Sequence, residues 1–132
     1  MTLARKNLAE SGVAERVELR SQRVEQLEEE ATFTLAWPPG PFIAAGIADR
    51  ALERVCRALV PGGWLIFGFN PPAPGALAEA LASLRIVRSG GYPWTSREVE
   101  EKLRAHRFEQ IEVYSPAPQI LFVAGRRPVS RE

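Results

Sequence analysis

The stretch from Ala51 to Phe69 constrains the fold of this chain more than any other. At about 100° per residue, Ile47, Ala51, Leu52, Val55 and Leu59 fall on one helical face, and Arg50, Glu53, Arg54 and Arg57 on the other. Cys56 sits at the boundary, where it reads as a small hydrophobe. Pro61 cannot donate into a helix and disfavours helical geometry at Val60 before it. Gly62 and Gly63 then supply a turn free to take either sign of φ. Trp64 to Phe69 is apolar without alternation, the pattern of a strand covered on both faces in a parallel sheet, with Trp64 in the core. Helix, stop and buried strand in this order predict an α/β fold.

With 132 residues, 45% of them hydrophobic, residues 1–132 read as a single domain. A chain of this size buries roughly two-thirds of its unfolded surface. The net charge of +1 gives no electrostatic case for nucleic acid or an anionic membrane as partner. Glu28-Glu29-Glu30 reads as a solvated helix end or loop, and Arg126, Arg127 and Arg131 as a short polar tail. One cysteine excludes an internal disulfide, and no Cys/His spacing suggests a metal. No apolar run approaches the roughly 18 residues of a membrane span, and the N-terminus has no signal-peptide core. These features predict a cytoplasmic protein.

Along the chain, Thr2 reads as an N-cap, Leu3–Ser11 as a helix and Gly12 as its stop. Glu15–Arg20 alternates, with Val17 and Leu19 on one side, and reads as a half-exposed strand. Thr32–Trp37 reads as a second strand. Trp37-Pro38-Pro39-Gly40-Pro41-Phe42 is a stiff loop, because proline fixes φ. Asn70-Pro71-Pro72-Ala73-Pro74-Gly75 is another. Leu77, Ala80, Leu81 and Leu84 repeat at helical spacing. Thr95-Ser96-Arg97-Glu98 predicts a capping box, opening a helix that points Val99 and Leu103 inward. Gln110–Ser115 alternates and Ile120–Ala124 does not, so an outer strand is followed by one that returns to the sheet interior.

In this order the segments resemble the C-terminal part of a class I S-adenosylmethionine-dependent methyltransferase. Ala4–Val13 looks like that family's second helix, Arg16–Arg20 its third strand and Phe33–Trp37 its fourth. Leu59-Val60-Pro61-Gly62-Gly63-Trp64-Leu65 looks like the junction before the fifth. Gly90–Glu98, with Leu103 and Phe108, looks like the helix leading to the sixth, and Gln119–Gly125 like the antiparallel seventh. The resemblance covers nearly the whole chain. It implies a Rossmann-like, doubly wound, mainly parallel sheet with an antiparallel final strand, without the N-terminal strands of the full fold. It also implies methyl transfer from S-adenosylmethionine to a small-molecule acceptor.

Departures from the family pattern fall on the cofactor side. The family's glycine-rich loop and its ribose-binding acid would precede Met1, and these residues hold neither. Arg23, with Val24 beside it, stands where an acid usually follows the third strand, and Thr34 where the fourth strand carries Asp. By resemblance, Arg23, Val24, Trp37 and Pro38 would face the cofactor. Pro39, Phe42, Phe69, Asn70, Tyr92 and Trp94 would face the methyl acceptor.

Each motif also has a plain structural reading. The Trp37–Phe42 loop either lines a ligand crevice beyond the strand ends or plugs a core edge. It does not match the Asp/Asn-Pro-Pro-aromatic motif of amino-directed methyltransferases. Asn70-Pro71-Pro72-Ala73 reads as a proline-rich turn. Tyr92 and Trp94 either cover an acceptor pocket or pack a hinge. His106 reads as structural, near a helix C-terminus, and Arg107 occupies a helix-end position suited to glycine. A second functional reading is a non-catalytic remnant or assembly module that keeps the sheet without the donor site.

The reading also predicts that Ala36 and Phe69 end adjacent parallel strands opening into one crevice. It leaves the Thr32–Trp37 edge unpaired. A homodimer, a rearranged Arg16–Arg20 strand or a segment in trans would cover it.

Overall fold

The computed structural model describes residues 1–129. Four helices, α1 (Thr2–Glu10), α2 (Ala48–Ala58), α3 (Ala76–Arg88) and α4 (Ser96–Ala105), accompany one four-stranded sheet. Its strands are β1 (Phe33–Ala36), β2 (Leu59–Phe69), β3 (Glu109–Ala117) and β4 (Ile120–Arg126), in spatial order β1-β2-β4-β3. β1 and β2 pair in parallel, with Ala36 opposite Leu65. β4 is antiparallel to both β2 and β3. Three strands therefore run one way and the last returns between two of them, as the sequence predicted.

The Pro-Gly-Gly stop is a bulge. Phe33 pairs with Leu59 and Leu35 with Trp64, so Val60–Gly63 loops out opposite Thr34. Gly62 takes φ +80°, closed to an L side chain without strain. The bulge is held from the end of β4: Gly62 N–H donates to the Arg127 carbonyl at 2.9 Å, and Arg126 Nε donates to the Gly62 carbonyl at 3.0 Å. Arg127 donates to the carbonyls of Arg57 and Leu59. Arg126 and Arg127 are thus structural clamps, not the free polar tail the sequence suggested, and Arg131 lies outside the described residues.

From β1 to β2 through α2, and from β2 to β3 through α3 and α4, the chain steps the same way across the sheet. Right-handed crossovers in one direction place their helices on one face. That face is the core: Leu52 and Val55 of α2 and Val99 and Leu103 of α4 pack with Leu65, Phe67, Phe69, Phe108 and Val123. On the opposite face Trp64, Ile66, Phe122 and Ala124 are only half-buried. The unbroken apolar run of β2 predicted cover on both faces. It has full cover on one, because no crossover lays a helix on the other.

The expected strand over Glu15–Arg20 is absent. A 3-10 turn spans Ala14–Arg16, and Val17–Arg23 is irregular. Alternation of Val17 and Leu19 is a local signal, whereas a strand needs a neighbour to pair with, and none stands beside it. Arg20 instead pairs with Glu18 at 2.8 Å and with Glu29. β1 therefore keeps β2 as its one strand partner among the described residues, and the rearranged-strand route to covering its edge is ruled out. Helix α1 begins at Thr2, so that hydroxyl does not cap it, and neither α1 nor α3 buries a residue.

Candidate functional site

Beyond the carboxyl ends of β1 and β2, the two proline loops and the Tyr92–Trp94 loop converge. Gly40 is buried because a β-carbon there would strike the Phe67 ring and the Gly68 carbonyl. The loop after β1 therefore continues along β2, with Pro39 bridging Gly68 and Gly68 N–H donating to the Pro38 carbonyl at 3.3 Å. Gly91 lies so close to the Pro41 carbonyl that a β-carbon has no room. These two glycines bring the loops together.

Next to them is a cavity of about 320 Å³. Its floor is Phe69 and Leu121, and Asn70–Ala73 form one rim. Tyr92 and Trp94 form a wall, and Glu79, Ser83 and Ile86 of α3 face them. Trp94 is fixed by its indole N–H, which donates to the Ile43 carbonyl at 2.9 Å. Phe69, Phe67, Trp94 and Tyr92 form a chain of edge-on ring contacts, with centroids 6.2, 6.1 and 4.6 Å apart. Edge-to-face packing favours one arrangement of such rings, so this wall is preformed. An apolar, preformed cavity with a few polar groups is the usual form of a small-molecule site.

Of the ten residues the sequence singled out, four line this cavity: Phe69, Asn70, Tyr92 and Trp94. Pro39 and Phe42 stand in the adjoining loop, with Phe42 turned to solvent. Trp37 is 65% exposed, its indole nitrogen over Gly68, and Pro38 follows it at the end of β1. Arg23 projects into solvent near Glu25, and Val24 packs against the core. The structure brings neither Arg23 nor Val24 to the cavity. Pro41, Glu79, Arg85 and Leu121 line it and were not anticipated. The α3 residues could be found only once the helix was seen to turn one face to this rim.

A second, more open cavity of about 420 Å³ shares the Tyr92–Trp94 wall and reaches Asp49 and Lys102. Lys102 Nζ donates to both Asp49 oxygens at 2.8 and 2.9 Å, and His106 Nε2 lies 3.0 Å from Asp49 Oδ1. The hydrogen bond from Lys102, then that from His106, holds the Asp49 carboxyl below its ordinary value. His106 is thus a structural link between α4 and α2, made through a carboxylate. Thr95 caps α4, its hydroxyl accepting from Glu98 N–H at 3.2 Å. Glu98 does not return the bond, and its Oε2 is buried without a partner, so the capping box is half formed.

No known protein-family profile and no curated protein matches this sequence. Solved structures do match its fold. An O-methyltransferase family protein from Burkholderia thailandensis is 18% identical with a TM-score of 0.76, over 97% of this chain and 41% of that one. Human N-acetylserotonin methyltransferase in complex with S-adenosylmethionine is 15% identical with a TM-score of 0.67, over 87% and 35%. Phosphoethanolamine N-methyltransferase 2 of Haemonchus contortus, with phosphomonomethylethanolamine and S-adenosylhomocysteine, is 16% identical with a TM-score of 0.64, over 80% and 36%. The chain thus has the Rossmann-like fold of S-adenosylmethionine-dependent methyltransferases and spans less than half the length of these structures.

Proposed function

We propose that this chain supplies the acceptor side of S-adenosylmethionine-dependent methyl transfer to a small molecule. The observation that carries the reading is the preformed aromatic cavity at the carboxyl ends of two parallel strands, in a fold shared with methyltransferases. Open α/β sheets bind their ligands at that end. A sulfonium donor is already activated, so a methyltransferase needs alignment and exclusion of water more than acid–base chemistry. Phe69, Tyr92 and Trp94 would hold an apolar or aromatic acceptor, and Asn70 would orient its polar end. Pro39 and Phe42 would border its entrance.

The residues present do not by themselves fit the cofactor. Trp37 offers an exposed ring and Pro38 a rigid turn beside β1, but Arg23 presents a cationic side chain to solvent where the resemblance implies an acid near the adenine. No glycine-rich loop follows a strand among these residues. No step is therefore assigned to the donor here.

The test is calorimetric titration of this chain with a panel of small phenols, amines and carboxylic acids. A member whose affinity falls at least tenfold in Trp94→Ala supports the reading. Absence of heat from the whole panel at millimolar ligand favours the second reading, a non-catalytic module. The solvent-directed Arg23 at the cofactor side favours that alternative.

A further inference from the structure

Helix α3 faces two ways. Glu79, Ala82, Ser83 and Ile86 line the aromatic cavity on its inner side. At about 100° per residue, Leu84, Leu77, Arg88 and Leu81 fall within about 60° of one another on the opposite side, with Val87 and Arg85 on the two flanks. Leu77 is 75% exposed, and Leu81, Leu84 and Val87 are each more than half exposed. The helix buries no residue, so this stripe is apolar without contributing to the core. Nor is it free to roll inward: Gly91 N–H closes the helix end on the Ile86 carbonyl at 3.0 Å, and Gly91 itself is packed against Pro41. A contiguous exposed apolar stripe of this kind marks an interaction surface.

Charge selects what covers it. Both charged residues of the outer side and its flanks are arginines, while Glu79, the one acid of α3, lines the cavity. Among the described residues neither Arg85 nor Arg88 pairs with a carboxylate. A second copy of this chain is a poor fit. Antiparallel contact sets these arginines against the other helix's N-terminal end, which is itself positive and has no acid on this side, and parallel contact sets arginines side by side. An anionic surface is a good fit. The stripe is a convex ridge rather than a groove, about 20 Å long at 1.5 Å per residue. A fluid lipid interface moulds to such a ridge, taking leucines into the headgroup–acyl boundary while arginines snorkel to the phosphates. No helix among the described residues is long and apolar enough to cross a membrane, so this helix would lie along the surface. The net charge of +1 averages over the whole chain and does not register this local face.

We propose that the outer face of α3 is a peripheral membrane-binding surface, seating Leu77, Leu81 and Leu84 in the interface of an anionic bilayer with Arg85 and Arg88 on its phosphates. Vesicle binding is read without donor or acceptor, so its outcome is independent of the methyl-transfer reading.

The test is flotation of this chain with vesicles of phosphatidylcholine alone and of phosphatidylcholine mixed with phosphatidylserine. Binding to the mixed vesicles is expected, at least tenfold tighter than to phosphatidylcholine and weakening as salt rises. Leu81→Asn and Leu84→Asn each weaken it at least fivefold. Arg88→Gln weakens it about fivefold and flattens the salt dependence. Leu3→Asn on α1, also at an exposed position, leaves it unchanged. All four positions are exposed, and circular dichroism checks that each variant folds. Failure to float with either vesicle overturns the proposal, as does equal binding to both or binding indifferent to the leucines. A dimer of this chain that Leu81→Asn dissolves overturns it too.

Discussion

Replacing Arg107 with glycine should stabilise the protein. Arg107 follows the last turn of α4 with φ +66°, in the left-handed region. Its N–H donates to the Arg104 carbonyl at 3.1 Å, and Phe108 N–H donates to that of Leu103 at 3.0 Å. This is a Schellman ending, and its usual residue here is glycine. The motif is anchored because Leu103 and Phe108 are both core residues, so the backbone cannot relax to a negative φ. A β-carbon in this geometry costs about 1–2 kcal/mol. Glycine removes that cost but loosens the unfolded chain, which returns about 0.4–1 kcal/mol. The net gain is about 0.5–1 kcal/mol, or roughly 2–4 °C in Tm for a chain of this length. Arg107 makes no side-chain hydrogen bond among those described, and it is exposed, so little else changes. Arg107→Ala keeps the β-carbon and isolates the backbone term from loss of charge. Thermal and urea unfolding of the three proteins decide the matter. If Arg107→Gly is no more stable than Arg107→Ala, the strain argument is wrong.

Gly91→Ala forces a β-carbon against the Pro41 carbonyl, and separating the two loops should cost about 1–3 kcal/mol. Because both loops border the aromatic cavity, Trp94 emission should change as well, which near-ultraviolet circular dichroism and fluorescence will register. Asp49 has a lowered carboxyl pKa in the fold, so its contribution is complete above the ordinary value near 4 and is lost as pH falls through the lowered one. Asp49→Asn should therefore lower Tm at pH 7, with the gap closing as pH falls through that lowered value and narrowing in high salt, since the site is exposed. Burial pushes the Cys56 thiol pKa up, so a disulfide-exchange reagent at pH 8 should label it far more slowly in the native protein than in urea.

Features set by short-range chemistry were legible. The helix before the Pro-Gly-Gly bulge, the Thr95 cap and the left-handed site at Arg107 each follow from a few adjacent residues, and the structure has all three. The outer strand followed by a returning one was legible because a strand buried on both edges and one exposed on a face carry different patterns. The error over Glu15–Arg20 has a definite cause: Val17 and Leu19 alternate, but alternation says nothing about whether a partner strand is present. Long-range pairings were invisible for another reason. Asp49, Lys102 and His106 are joined only by the angle at which α4 crosses α2, and no local spacing encodes that angle.

The two sides of the candidate site consequently depend on different parts of the fold. Phe69, Tyr92 and Trp94 are held by the helix-covered face, where Phe67 and the Ile43 carbonyl lock the rings from below. That half is complete within the described residues, so its geometry should persist whether or not anything binds β1. Trp37 and Pro38 stand instead at the free edge, with Leu35 beneath them open to water. A strand docking on β1 would desolvate that corner and stiffen it, while leaving the Tyr92–Trp94 wall in place. Under the proposed function, acceptor affinity at that wall should thus be nearly unchanged by a partner on β1.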